Sequence, residues 1–184
     1  MNDAANTAGS GNASAPATTK AAPKNPWALP DVSYLMVGVL GGTGDQGRGL
    51  ACGAIVNVSS INARLPFPMV VDYSAHKAAL TNLTTTLSEE FAPRGVRVNA
   101  VSPGPVRTPG WTDEGRLADG KAAASGTTRE QVLTEGVPAS MGIALGRMGE
   151  ADEIAAAVAF LLGPEARWIT GTDLVVDGGT IKAA

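Results

Sequence analysis

Ser60, Tyr73 and Lys77 stand at spacings that suit proton transfer. Tyr73 and Lys77 are four residues apart, so on a helix they share one face. A phenol titrates near about 10, and an ammonium beside it favours the phenolate and pulls that value down. A tyrosine tuned this way gives or takes a proton near neutral pH. Ser60 lies thirteen residues before Tyr73, where an apolar strand ends. From there its hydroxyl can hydrogen-bond the oxygen that receives the proton. Tyr-x-x-x-Lys alone also describes a solvated helix turn, so the weight falls on the elements around it.

Residues 53–58 are a near-continuous apolar run, as expected for a parallel strand covered on both faces. Asp72 suits a helix N-cap, with Tyr73 as the first helical residue. Leu80, Leu83, Leu87 and Phe91 follow at spacings of three and four, which predicts a core-facing stripe. Pro93 and Gly95 end that helix. Residues 96–101 form the next strand, and the strand, helix, strand order predicts a right-handed parallel crossover. Ser102-Pro103-Gly104-Pro105-Val106-Arg107-Thr108 then sits past the strand's C-terminal end, where open α/β sheets bind ligands. Pro-Gly-Pro would also give a rigid turn in any case. Residues 109–145 are polar and weakly periodic, with a short helix over 128–133. Residues 150–162 predict a helix with an acidic first turn, inward Ile154, Val158, Leu161 and Leu162, and a Gly163-Pro164 stop. Residues 172–176 are the last strand.

Upstream, residues 35–40 read as a short buried strand running into a glycine-rich turn. Gly42, Gly44 and Gly47 form a G-x-G-x-x-G, whose backbone N–H groups suit a pyrophosphate at a helix N-terminus. A flexible glycine turn has the same composition. Between this turn and the strand at Gly53 remain Leu50, Ala51 and Cys52, whereas a parallel crossover needs about a dozen residues. The cradle therefore lacks most of the helix that would support it.

In order and spacing, the Ser60, Tyr73 and Lys77 set, the Ser102–Thr108 loop and Thr170-Gly171-Thr172-Asp173-Leu174-Val175-Val176-Asp177-Gly178-Gly179 resemble the short-chain dehydrogenase/reductase family over residues 53–184. That resemblance implies hydride transfer between NAD or NADP and a carbonyl or alcohol substrate. It implies Tyr73 as the acid/base, Lys77 tuning Tyr73 and binding the nicotinamide ribose, and Ser60 orienting the reacting oxygen. Pro103, Gly104, Val106 and Thr108 would hold the nicotinamide carboxamide, Val106 through its backbone and Thr108 through its hydroxyl. Residues 109–145 would be the substrate lid, and the final helix and strand a self-association surface.

The family's first turn, T-G-x-x-x-G-x-G, would need glycine at Arg48 and Leu50. Residues 26–51 are instead similar to the start of the deazaflavin-dependent NADPH oxidoreductases, which favours a junction near Cys52 over a divergent short-chain enzyme with a compressed first half. The family's second to fourth strands, with the adenine pocket, have no counterpart. The expected fold is thus α/β: a truncated Rossmann-like parallel sheet flanked by helices, missing much of its first half. The alternative function is a non-catalytic, truncated or chimeric remnant that cannot hold cofactor.

Composition bounds the rest. The chain has 184 residues, net charge −3 and pI ≈ 5.1, which leaves no basic nucleic-acid footprint. Cys52 is the single cysteine, so no intrachain disulfide forms. Neither a signal peptide nor a membrane-length apolar run is recognisable. A cytoplasmic protein acting on a small molecule is expected, able to form a homo-oligomer. Residues 1–30 are Ala-, Asn-, Ser-, Thr-, Gly- and Pro-rich and predict a disordered tail, leaving 31–184 as a partial dinucleotide-binding domain. The sequence names no carboxylate for His76, which is given no role; Glu89 and Glu90 read as solvated helix charges, and no metal-ligand cluster is visible.

Overall fold

A computed structural model describes residues 36–37 and 53–182, within a unit spanning Ser33–Ala184. Strands β1 (Met36–Val37), β2 (Gly53–Val58), β3 (Val96–Pro103) and β6 (Asp173–Val176) make one sheet in the order β1-β2-β3-β6. β2, β3 and β6 run parallel, with Val58 beside Val101 and Ala100 beside Asp173. Helix α1 (Val71–Phe91) connects β2 to β3. Four short helices follow: α2 (Pro109–Thr112), α3 (Leu117–Ser125), α4 (Arg129–Gln131) and α5 (Val137–Met141). Helix α6 (Ala151–Leu162) precedes β6. A second, two-stranded parallel sheet pairs β4 (Val106–Arg107) with β5 (Gly149–Glu150). The result is the expected α/β architecture, a parallel sheet flanked by helices.

One strand departs from the parallel pattern. β1 pairs antiparallel with β2, Met36 opposite Asn57. A strand that feeds a dinucleotide turn through a βαβ crossover runs parallel to its neighbours, so Met36–Val37 does not have that geometry. The glycine turn itself, with Gly42, Gly44 and Gly47, lies outside the described residues, as do Cys52, the proposed junction around it and the 1–30 segment.

The two faces of the sheet have different chemistry. Towards α6 lie Val56 and Val101, packed with Leu161, Ala166 and the half-buried Ile154, Val158, Leu174 and Val176. Each fully buried aliphatic side chain there contributes about 1.5–3 kcal/mol. The inward set expected for α6 is thus the observed one, and its ends match too. Glu150 and Glu153 form a capping box at the start, and Gly163 is the C-cap.

Towards α1 the face is polar. The buried side chains of α1 are Ser74, Lys77, Thr84 and Ser88, not a leucine stripe. Leu83 is 46% exposed, and Leu80, Leu87 and Phe91 are half-buried. Hydrogen bonds explain the rotation. Asn57 Nδ2 on β2 donates to Thr84 Oγ1 at 2.9 Å, and Ser59 Oγ donates to the Lys77 carbonyl at 3.1 Å. Buried polar groups must be paired, and turning α1 to bury its leucines would orphan Asn57 and Ser59. The helix also begins earlier than expected: Val70 is the N-cap and Asp72 lies in the first turn.

Arg97 shows how β3 and α6 are joined. Its guanidinium donates to the carbonyls of Leu161 (2.6 Å), Leu162 (3.3 Å) and Gly163 (3.2 Å) at the end of α6. Those carbonyls have no partners within the helix, and a cation there also complements the helix dipole. Arg97→Met should therefore lower unfolding free energy by about 2 kcal/mol, read from the urea midpoint.

Candidate active site

Ser59 N–H donates to the Val101 carbonyl at 2.7 Å, extending the sheet pairing one residue past β2. The chain then turns away. Ser60, in extended conformation, caps a 3₁₀ turn at Ile61–Ala63, its Oγ accepting from the Asn62 N–H at 3.2 Å. Ser60 is 8% exposed. The turn packs against α1, which carries Tyr73 in its first turn, half-buried, with its N–H donating to Asp72 Oδ1 at 2.8 Å.

Lys77, one helical turn on, joins these pieces. Its side chain is buried, and Nζ donates to the Val58 carbonyl at 2.8 Å while lying 5.6 Å from the centre of the Tyr73 ring. The ammonium is thus held between the end of β2, two residues before Ser60, and the phenol ring. Burial pushes the Lys77 pKa down from 10.5, because desolvation penalises the charged form. The sign of its pH effect follows. With the folded pKa below the unfolded one, the unfolded chain binds more protons in the window just below 10.5, and stability rises with pH there. Relative to Lys77→Met, the wild type should gain stability between neutral pH and about pH 10, measured by urea unfolding of both chains. Parallel profiles would remove Lys77 as a buried titrating group.

The loop after β3 is equally fixed. β3 extends to Pro103, two residues beyond the expected end, and Gly104 N–H donates to the Val176 carbonyl at 2.9 Å. Val106 is buried and in register with Gly149, so its backbone is set by β-pairing. Thr108 is the N-cap of α2, yet its hydroxyl makes no capping bond. Its carbonyl accepts from the N–H groups of Trp111 (2.8 Å) and Thr112 (3.0 Å). Pro103 and Gly104 therefore lie past the same end of the sheet at which β2 delivers Ser60, and Val106 and Thr108 follow in the second sheet and at the start of α2.

Asp177 is the residue that sequence reading left without a role. Its Oδ1 accepts from Gly179 N–H at 2.8 Å and its Oδ2 from Ile181 N–H at 2.7 Å, closing the turn after β6. That turn backs directly onto Gly104. The Asp-Gly-Gly sequence is the signal that could have found it, since Asp side chains cap their own turns.

Residues 109–145 are more ordered than their composition suggests. Ala118, Ala122, Val132, Leu133, Val137 and Ile143 bury a small core together with Met148 just past the segment, with Trp111 and Met141 against it. The helix expected at 128–133 is α4 with a Thr128–Gln131 capping box, continued by a π turn at Val132–Gly136. His76 is exposed, its Nδ1 2.7 Å from the Asp72 carbonyl. Glu89 and Glu90 are exposed, and Glu90 lies 3.5 Å from Arg94. Among the described residues no cluster of three or more His, Cys, Asp or Glu suits a metal, and no helix is long and apolar enough to cross a membrane.

Comparison with known proteins adds the family. Residues 46–180 match the family described as enoyl-(acyl carrier protein) reductase. A 3beta-hydroxysteroid dehydrogenase 1 of Eggerthella lenta is 40% identical over 127 residues, covering 69% of this chain and 43% of that protein. The short-chain reductase protein NovJ of Streptomyces niveus is 39% identical over 127 residues, covering 69% and 44%. Among solved structures, an NADPH-bound short-chain oxidoreductase of Pseudomonas aeruginosa PAO1, described as containing an atypical catalytic centre, superposes with TM-score 0.60. It is 34% identical, with 71% of this chain and 47% of that one covered. The aldohexose dehydrogenase of Thermoplasma acidophilum superposes with TM-score 0.61 at 32% identity, covering 72% and 49%. The chain spans less than half the length of these relatives. With the Ser60, Tyr73 and Lys77 spacing and the parallel sheet that carries it, these matches establish that the chain belongs to the short-chain dehydrogenase/reductase family.

Proposed function

We propose that the chain carries the catalytic half of an oxidoreductase that interconverts a carbonyl and an alcohol with NAD or NADP. The observation that carries this reading is the seating of Lys77: a buried ammonium on the Val58 carbonyl, beside the Tyr73 ring. Burying a charge is costly, and at this spot it has a use. Tyr73 holds the proton that the substrate oxygen receives, or takes it from the alcohol in reverse. Lys77 Nζ stands beside the Tyr73 ring, and Ser60 hydrogen-bonds the same substrate oxygen.

The residues present fit a nicotinamide nucleotide on one side. Lys77 offers an ammonium for the ribose hydroxyls, Val106 a backbone fixed by β-pairing, and Thr108 a hydroxyl not used in capping. Pro103 and Gly104 would wall the nicotinamide side. Gly42, Gly44 and Gly47 are the proposed phosphate cradle. A nicotinamide nucleotide held by these residues would supply or accept the hydride at the carbonyl carbon. In this reading residues 31–184 form a partial dinucleotide-binding domain that acts on a small molecule in the cytoplasm, and copies of the chain self-associate.

Titration calorimetry with NADPH and with NADH tests the reading. Heat saturating at or below millimolar cofactor is expected, and the tighter of the two identifies the preference. No heat with either at millimolar concentration would sink the enzyme reading and leave a fold that keeps the side chains without the cofactor.

A further inference from the structure

Asp173 is a buried carboxylate that the proposed proton transfer does not use. It opens β6 in register with Ala100 and, across β3, with Asn57, the residue that bonds Thr84 of α1, and its side chain is 7% exposed. Oδ1 accepts from the Ser102 hydroxyl at 2.7 Å. Oδ2 is wholly buried and accepts no hydrogen bond among the described residues, and Arg64 Nη2 lies 3.0 Å from it as an ion pair. A buried charge persists when it is paired, so the Arg64 guanidinium is held at this carboxylate.

The other end of Arg64 is the turn that presents Ser60. The Arg64 N–H donates to the Ile61 carbonyl at 2.9 Å and closes the 3₁₀ turn that Ser60 caps. Ala63 N–H donates to the Ser60 carbonyl at 3.0 Å in the same turn. A pull on the Arg64 side chain is therefore a pull on the peptides that set the Ser60 hydroxyl. We infer that Asp173 is a positioning residue, anchoring through Arg64 the turn that aims Ser60, and so coupling the last strand to the candidate catalytic serine. Its role in turnover rests on the oxidoreductase reading above; its role in holding the turn does not.

Amide hydrogen exchange of the full chain reads that anchor without any activity. In Asp173→Asn and in Arg64→Ala, the amides of Ala63, Arg64 and Leu65 should exchange about tenfold faster or more, while those of Val98 and Ala100 keep their protection. The double variant should exchange no faster than either single one, because both remove one interaction. Arg64 is half exposed, so Arg64→Ala leaves the core intact and gives the answer even where Asp173→Asn fails to fold. Unchanged exchange in the turn overturns the inference, and so does a loss spread equally over β3, which would make the pair a plain sheet contact. Where the wild type turns over substrate, each variant should lower kcat with little change in the cofactor KM. A wild type without turnover but with the exchange pattern intact would count against the oxidoreductase reading alone.

Discussion

Tyr73→Phe is expected to abolish carbonyl reduction while leaving cofactor affinity nearly unchanged. The substitution deletes one oxygen from a half-buried side chain in the first turn of α1. The ring remains, and with it the contact with Lys77 Nζ, 5.6 Å from its centre. The phenol oxygen appears in none of the hydrogen bonds among the described residues, so the change should cost little stability. A positioned acid or base contributes about 10²–10⁴-fold to rate, and turnover should fall by that range. Calorimetry with NADPH on the variant supplies the control, since a loss of binding would mean a damaged site rather than a missing proton donor. Unchanged turnover would remove Tyr73 from its role.

How much of this was legible depends on the kind of signal each residue carries. The β2 boundaries and the stop at Gly163 were readable, because an apolar run and a glycine-proline pair act locally. The turn of α1 was not. Leu80, Leu83, Leu87 and Phe91 have the spacing of a core stripe, yet the buried line is Ser74, Lys77, Thr84 and Ser88. What overrides the leucines is the need to pair Asn57 and Ser59, two polar residues on a different element. Hydrophobic periodicity within one helix carries no trace of that demand. Asp72 was misplaced for a smaller reason: its carboxylate does accept from Tyr73 N–H, but as a first-turn residue with Val70 as the cap. Residues 109–145 looked loop-like because their buried positions are mostly alanine and valine with one leucine, Leu133, and their longest helical run is broken in register by the π turn at Val132–Gly136. The Asp173–Arg64 pair was invisible because nothing local marks a contact between two elements so far apart in the chain.

Gly104→Val should be the most damaging substitution outside the proton-transferring trio. A Cβ at Gly104 would lie 2.7 Å from Asp177 Cα and 2.7 Å from its Cβ, distances that real side chains do not adopt. Neither side can give way cheaply. Gly104 is fixed to β6 by its hydrogen bond to the Val176 carbonyl. Asp177 is fixed by Gly179 N–H and Ile181 N–H on its carboxylate and by the Thr180 hydroxyl on its carbonyl. One of the two turns must move, and both border the loop that carries Val106 and Thr108. Overpacking of this kind costs about 1–3 kcal/mol, and here the cost falls on the proposed cofactor-binding loop as well as on stability. The urea midpoint should drop and NADPH heats should vanish together. Gly120→Ala is the matched control: no atom lies within 4 Å of its added Cβ, and it sits inside α3, where alanine is favoured over glycine by about 0.5–1 kcal/mol. That variant should gain stability and bind cofactor as the wild type does. If Gly104→Val behaves like Gly120→Ala, the loop after β3 is not held against the Asp177 turn, and the cofactor wall assigned to Pro103 and Gly104 has no support.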